Sequence, residues 1–396
     1  MMPVRRVSAN LAVMVAISLA CGLSWGWERA PYGIALSVFV PLLWSASGSR
    51  SGAFMVMTAY FLATSRGLPH GTGIFFASAA PAWFGWALWL TAASGNAGIW
   101  AACWARSKHK RCAGLLAALV LTTIPPVGIF GWANPLTSAG FIFPALGFAG
   151  LFALTTVWIS VIADHRRLAM LGAAIAVAAN IGNMSASAQA PALWVAKDTH
   201  FGRLGGDGDD FRAMYERVTA TQEMADELPP GATLVLPETF LGLLTAGGMP
   251  LLEDLRATVA SKGGRLIVGA QVFSRPGSLD TDNVLFVVDA SGVTQMRQRI
   301  PVPVGMWHPW AAGSTNAYPF AAGVHRVDGR QVAYLICYEQ LLMLPVLTSF
   351  WHRPEVLIGA ANDWWARDTS IPTIQAQVMS AWARLFDVPV IRATNL

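Results

Sequence analysis

Seven long apolar runs crowd the first 187 residues, and they constrain the fold more than any other feature of the chain. They lie near 9–27, 32–46, 52–66, 74–105, 112–132, 141–163 and 168–186. About 20 helical residues cross a hydrocarbon core, so the pattern predicts a polytopic α-helical membrane domain over residues 1–187, with about seven helices. The fourth run is long enough to break, and Gly95-Asn96 is the expected break. Pro125-Pro126 should kink the fifth, which a membrane helix tolerates when its neighbours re-satisfy the freed carbonyls. Arg5 and Arg6 ahead of the first run also suit a cleavable signal peptide. Six further runs follow, so the class stands either way.

Charge is distributed as unevenly as hydrophobicity. Only 12% of the residues are charged and 54% are hydrophobic, against roughly a quarter charged in soluble domains. Residues 1–190 hold 11 Lys/Arg and two acids, Glu28 and Asp164, whereas residues 191–396 hold 16 Lys/Arg and 20 Asp/Glu. The net +5 is thus a sum over two unlike halves, and its basic part sits in short gaps between apolar runs. Nucleic acid is excluded as a partner on that ground. With seven spans and a cytoplasmic N-terminus, nine of those 11 basic residues fall on the inner side, leaving Arg29 and Arg66 outside. Such an excess is the positive-inside bias. It places a multi-pass protein in a bacterial inner membrane, with everything after about residue 188 in the periplasm. The apolar runs lack the intramembrane charges that mark a translocation path, which argues against a transporter.

From residue 188 onward the pattern changes to alternating strands and helices, which suits one α/β layered domain over 188–396. Strands are expected at 194–196, 232–237, 265–273, 283–289, 293–299, 323–328, 331–337, 356–359 and 389–392, and helices at 210–228, 250–262, 340–350 and 371–386. The Ser/Ala/Gln stretch 185–190 is the expected joint between the halves. Two strands end on chemistry. Leu234-Val235-Leu236-Pro237-Glu238 delivers a carboxylate, and Val332-Ala333-Tyr334-Leu335-Ile336-Cys337 delivers a thiol. A base and a thiol, each at a strand end, are parts of an activated-nucleophile acyl-transfer site. Cys337 is also the one cysteine after residue 112. A lone thiol in an oxidising compartment is a liability unless it is buried or used. Each residue alone also fits an ordinary role, a buried core cysteine or a solvated strand-end carboxylate.

Four segments, in order and spacing, resemble the carbon–nitrogen hydrolase (nitrilase) superfamily: Leu236-Pro237-Glu238-Thr239, Ile336-Cys337-Tyr338-Glu339, Ala361-Asn362-Asp363-Trp364-Trp365 and Ile391-Arg392-Ala393-Thr394-Asn395. The branch most similar is that of the apolipoprotein N-acyltransferases, which also place membrane spans before a periplasmic hydrolase domain. With the run Met296 to Val304 included, the chain resembles plasmid-encoded conjugal transfer proteins of that branch. The resemblance implies an αββα sandwich and a Glu–Lys–Cys triad. Glu238 matches the base, Cys337 the nucleophile and Glu339 an assisting carboxylate; the Tyr338 amide is an oxyanion donor and Asn362 a supporting residue. The lysine has no match. Aligned without a gap on Val302, Pro303 and Gly305, its place falls on Gln298; one inserted residue, Pro301, moves it to Arg297. Arg297 and Arg299 are expected on one strand face, opposite Gln298, and are taken as the candidate cations. Arginine supplies a fixed charge but cannot shuttle a proton.

The cluster Trp307-His308-Pro309-Trp310 suits a loop that dips toward lipid, since a Trp ring has an apolar body and one polar tip. No His/Cys/Asp cluster has metal-ligand spacing, so neither metal nor cofactor is expected. Two functions remain open. One is thiol-dependent acyl transfer or amide hydrolysis at the periplasmic face, with membrane lipid as surroundings, a lipid acyl donor and a peptide or lipoprotein acceptor. The other is a catalytically weakened scaffold among conjugation-apparatus proteins.

Overall fold

The computed structural model describes residues 2–184, 188–203 and 210–396, so the expected joint lies partly outside the described residues. The chain forms two compact units that do not follow chain order. One comprises Met1–Ala188, Leu341–Leu344 and Ala366–Asp387, and the other Gln189–Gln340, Pro345–Trp365 and Val388–Leu396.

The first unit is helical, with Met2–Leu23, Arg50–Thr64, Leu68–Phe76, Phe84–Cys103, Lys108–Leu121, Gly147–Ile162 and Arg166–Asn183 as its longer helices. Its interior is built on tryptophan. Trp25, Trp44, Trp100 and Trp158 are fully buried, and three of their indoles find partners: Trp25 on Ser37 Oγ, Trp44 on the Trp100 carbonyl and Trp158 on the Val38 carbonyl. A buried indole N–H without a partner costs about 1–3 kcal/mol, which offsets part of what its body gains. Large apolar side chains also face outward, among them Phe152, Trp83 and Ile181. Among the described residues no single helix is both long and apolar enough to cross a membrane. Pro135–Ile142 and Gly147–Ile162 reach that length and composition only together, bent by 114°.

Two expectations for this half are corrected. The run 74–105 does not break at Gly95-Asn96. It breaks between Phe76 and Phe84, where Ala77 adopts φ 44° and Pro81 precedes the next helix. Asn96 stays helical because its amide donates to the Ala92 carbonyl and, at 2.8 Å, to the Phe130 carbonyl. The run 112–132 does not continue past its proline pair as a kinked helix; the helix stops at Leu121. The helix Ile371–Phe386, expected with the second half, belongs to the first unit. Gly26 N–H donates to Gln377 Oε1 and Ala145 N–H to the Arg384 carbonyl, both at 2.8 Å.

The second unit carries two sheets. The first contains β1 (Trp194–Ala196), β2 (Thr233–Val235), β3 (Leu243–Leu244), β4 (Arg265–Phe273), β5 (Thr281–Asp289) and β6 (Gly292–Arg297), in the order β1-β2-β4-β5-β6 with β3 also on β4. The second contains β7 (Val324–Val327), β8 (Arg330–Ile336), β9 (Val356–Asn362) and β10 (Val390–Asn395), in the order β10-β9-β8-β7. β1, β2 and β4 run parallel, as do β8, β9 and β10. Parallel strands buried on both faces read as continuous apolar runs, as Val332–Ile336 and Val356–Ala361 do.

The sheets share one core. Val235, Ile267, Leu285 and Met296 of the first meet Val332, Ile336, Ile358 and Ile391 of the second. On the other face of the first sheet, Leu234, Leu266, Val268 and Phe286 pack under the helices Asp210–Asp226 and Met249–Ser261. The C-terminal ends of β2 and β8, strands of facing sheets, carry Glu238 and Cys337 to one site.

Candidate active site

Past β2 the chain turns at Pro237, and the next residues hold a tight path against β4. Leu236 N–H donates to the Ile267 carbonyl, and Gly269 N–H to the Pro237 carbonyl at 3.1 Å. A Cβ on Gly269 would lie 2.4 Å from both Pro237 O and Thr239 N. Only glycine lets β4 approach the backbone of the base this closely.

Cys337 is the first residue after β8 and has φ 51°. A non-glycine residue in that region costs about 1–3 kcal/mol and persists only where its surroundings over-determine it. Here they do. Glu339 is fully buried and accepts from the Ile336 N–H at 3.1 Å, the Ile300 N–H at 3.0 Å and the Arg299 N–H. It staples the turn after β8 to the segment after β6.

Glu238 and Cys337 are brought together. Both are buried, and the thiol and carboxyl are hydrogen-bonded to each other. Glu238 Oε1 accepts from Asn283 Nδ2 at 2.6 Å, and Oε2 from the Asn362 N–H at 3.0 Å. Asn362 is fixed in turn by its bond to Thr239 Oγ1 at 2.5 Å and by Asn395 Nδ2, which donates to its Oδ1 at 2.8 Å. Burial pushes the Glu238 carboxyl up to about 7; hydrogen bonds from Cys337 and Asn283 oppose this, and the Asp363 carboxylate adds to it. Burial first, then the charges of Glu238 and Asp363, push the Cys337 thiol well above its ordinary value. The resting nucleophile is therefore a thiol, and a thiolate forms only as a base takes its proton. Asp363, which the sequence marked only as part of the Ala361–Trp365 segment, is fully buried and is the second carboxylate of the site. Its charge is felt by Arg392 of β10, which also faces Asp198.

The two candidate cations are not brought to the thiol. β6 ends at Arg297, so strand alternation does not carry on to Arg299, and the two arginines face different surroundings. Arg297 is half exposed, ion-paired with Asp282 at 3.3 Å and stacked on Tyr318. Arg299 is fully buried. Its Nη1 donates to the Pro345 carbonyl, Thr348 Oγ1 and Ser349 Oγ, its Nη2 to the Tyr334 carbonyl, and it pairs with Glu339 at 3.6 Å. Gly323, at φ 67°, makes room for it, since a Cβ there would lie 2.0 Å from Arg299 Nη1. The residue that does reach the site is Gln298, the ungapped alternative. Its Oε1 accepts from Asn283 Nδ2 at 2.8 Å and its Nε2 donates to the Ile336 carbonyl at 2.9 Å. Asn283 had no sequence signal beyond its place in a buried strand.

The chain is 37% identical to "Conjugal transfer protein TraB" of Agrobacterium fabrum (strain C58 / ATCC 33970), over 98% of this chain and 93% of that one. The chain belongs to the TraB family of conjugal transfer proteins. A "Probable conjugal transfer protein TraB" of Sinorhizobium fredii (strain NBRC 101917 / NGR234) is 33% identical over 93% of this chain and 94% of its own length. Within this TraB-family chain, residues 253–384 match the carbon–nitrogen hydrolase family model. That stretch contains Cys337, Glu339 and Asn362 but begins after Glu238. Among solved structures, an amidase of the nitrilase superfamily from Nesterenkonia AN1 is 17% identical, over 51% of this chain and 75% of that chain, with TM-score 0.37.

Proposed function

We propose that this chain is a membrane-anchored, thiol-dependent acyltransferase or amidase that serves plasmid conjugal transfer, with Cys337 as nucleophile and Glu238 as base. The observation that carries the proposal is the strained, buried Cys337 hydrogen-bonded to a carboxyl that titrates near neutrality. A general base works best with a pKa near the working pH.

In the first half-reaction Glu238 takes the Sγ proton while sulfur bonds to the acyl carbon of an amide or ester. The carbonyl electron pair moves to oxygen, where the Tyr338 N–H, next after the nucleophile, is the proposed donor. Collapse breaks the C–N or C–O bond, and the leaving group takes the proton from Glu238. A thioester remains. In the second half-reaction water or an amine acceptor gives its proton to Glu238 and attacks the thioester, and collapse returns the proton to Cys337 Sγ. The proposed substrates are an acyl donor presented by the bilayer and a peptide or lipoprotein acceptor.

Membrane attachment is supported by the outward-facing apolar side chains of the helical unit and by its asymmetric basic residues. The proposed topology has seven passes, a cytoplasmic N-terminus and the second unit in the periplasm. The names of the relatives support a place in conjugation, with proteins of that apparatus as partners.

One observation favours a second reading, a catalytically weakened scaffold. Both candidate arginines are committed elsewhere, so neither is left to meet the oxyanion. Intact-mass analysis of the detergent-solubilised protein after exposure to an activated acyl ester separates the two. Wild type should gain one acyl group, and Cys337→Ala none. A folded wild type that gains no acyl group, together with undiminished plasmid transfer in Cys337→Ala cells, would favour the scaffold.

A further inference from the structure

Between the base and the strand that carries the thiol lies a chain of neutral amides. β5 places Asn283 opposite Gln271 of β4. Gln298, the first residue beyond β6, donates its backbone N–H to the Asn283 carbonyl at 2.8 Å. The side chains continue the link. Asn283 Nδ2 donates both to Glu238 Oε1 at 2.6 Å and to Gln298 Oε1 at 2.8 Å, and Gln298 Nε2 donates to the carbonyl of Ile336 at 2.9 Å. Ile336 directly precedes Cys337. Both amides are 1% exposed, so water does not compete for these bonds.

The geometry points to Gln298 and Asn283 as positioning residues that fix Glu238 against the peptide before the nucleophile and leave the transferred proton on Glu238 alone. This rests on the thiol chemistry proposed above. Carboxamides do not titrate, so a proton taken from Cys337 Sγ has no onward route through them and stays on Glu238 until the leaving group takes it. Nor does an amide bring a net charge that would hold the carboxyl ionised, as an ammonium at the Gln298 position would.

The ionisable groups facing Glu238 are Cys337 after β8 and Asp363 after β9. Arg392 of β10 lies beyond Asp363, and Asp282, next to Asn283 on β5, is spent on Arg297 and Tyr318. Burial pushes the Glu238 carboxyl up to about 7, with Asp363 adding to that. Thiol acylation should therefore rise about tenfold per pH unit on the acid side and level off above neutrality.

The test is the rate of Cys337 acylation by p-nitrophenyl butyrate, read by intact mass between pH 5 and 9 on the full-length protein in detergent. Wild type should have its half-maximal rate near pH 7. Gln298→Lys should move that midpoint down by at least about one unit, because a cation favours the ionised carboxylate. Gln298→Leu should lower the plateau and leave the midpoint high, as it loses the link and adds no charge. Gln298→Glu should raise the midpoint, which keeps the proposal testable should the lysine variant not accumulate in membranes. Midpoints that stay put in the charged variants, while Glu238→Gln still abolishes acylation, overturn the amide link and leave the thiol chemistry standing. Acylation of Cys337→Ala at the wild-type rate overturns the thiol chemistry itself.

Discussion

Glu238→Gln separates the cost of the buried base from its use. Burial raises the Glu238 carboxyl from 4.5 to about 7, so between those values the native chain binds more protons at this group than the unfolded chain does. Stability then falls as pH rises through that window, and the full cost is present above it. That difference corresponds to about 3 kcal/mol. Glutamine cannot ionise and escapes this cost. It keeps an acceptor for Asn283 Nδ2 but gives up the acceptor that meets the Asn362 N–H, a loss of roughly 1 kcal/mol. The variant should be slightly less stable than wild type at pH 4.5 and about 2 kcal/mol more stable at pH 8, while losing thiol acylation at both. Thermal unfolding followed by tryptophan fluorescence in detergent, at a series of pH values, reads the difference. A variant whose midpoint tracks wild type across the whole range, or falls below it at pH 8, would refute the claim that the native base is held near neutrality by burial.

Three further outcomes follow from the geometry. Arg299→Ala removes the counter-ion of fully buried Glu339 and should cost about 3–5 kcal/mol in the same unfolding assay. Arg297→Ala removes a half-exposed cation from buried Asp282, which keeps Asn316 and Tyr318 as donors, and should cost about 1–3 kcal/mol, with acylation near wild type; a loss of about 100-fold would instead make it an oxyanion donor. Gly269→Ala forces a methyl against Pro237 O and Thr239 N, and should cost about 1–3 kcal/mol and slow acylation by moving Glu238. For topology, a periplasm-active phosphatase fused after Leu396 should be active and a cytoplasm-dependent fluorescent reporter dark; the reverse result inverts the proposed orientation.

Much of the second unit was legible because its strands are buried on both faces and bounded by strong breakers. Gly263-Gly264 and Pro276-Gly277 bracket Arg265–Phe273, which forms as expected. The thiol and carboxylate were legible for the same reason, since each ends an apolar run. The cation was not. Placing Arg297 and Arg299 on one face assumes an extended chain through residue 299, whereas β6 stops at Arg297 and the chain bends inward to meet Glu339. In the helical unit, composition marked where apolar helices lie but misplaced a break, because the Asn96 amide finds two carbonyls inside the unit. The helix 371–386 was likewise legible, but not which unit receives the face that Ile374, Val378, Trp382 and Leu385 bury.

The fate of the two arginines bears on what the site retains. Arg299 and Glu339 neutralise each other away from the thiol, and Glu339 spends its remaining lone pairs on three backbone N–H groups from both sides of the site. That pair holds framework rather than substrate. Its effect is to keep the Gln298 segment and the Cys337 turn in one fixed relation, which the amide link then extends to Glu238. A thiol with only a packing role needs neither a left-handed backbone nor a carboxyl at hydrogen-bond distance, and both are costly to maintain. Here three separate restraints, Glu339 on Ile336, Gln298 on Ile336 and Asn362 on Glu238, converge on those two costly features. The convergence fixes the thiol and the carboxyl against each other, and the link that joins them, through Gln298, carries no charge.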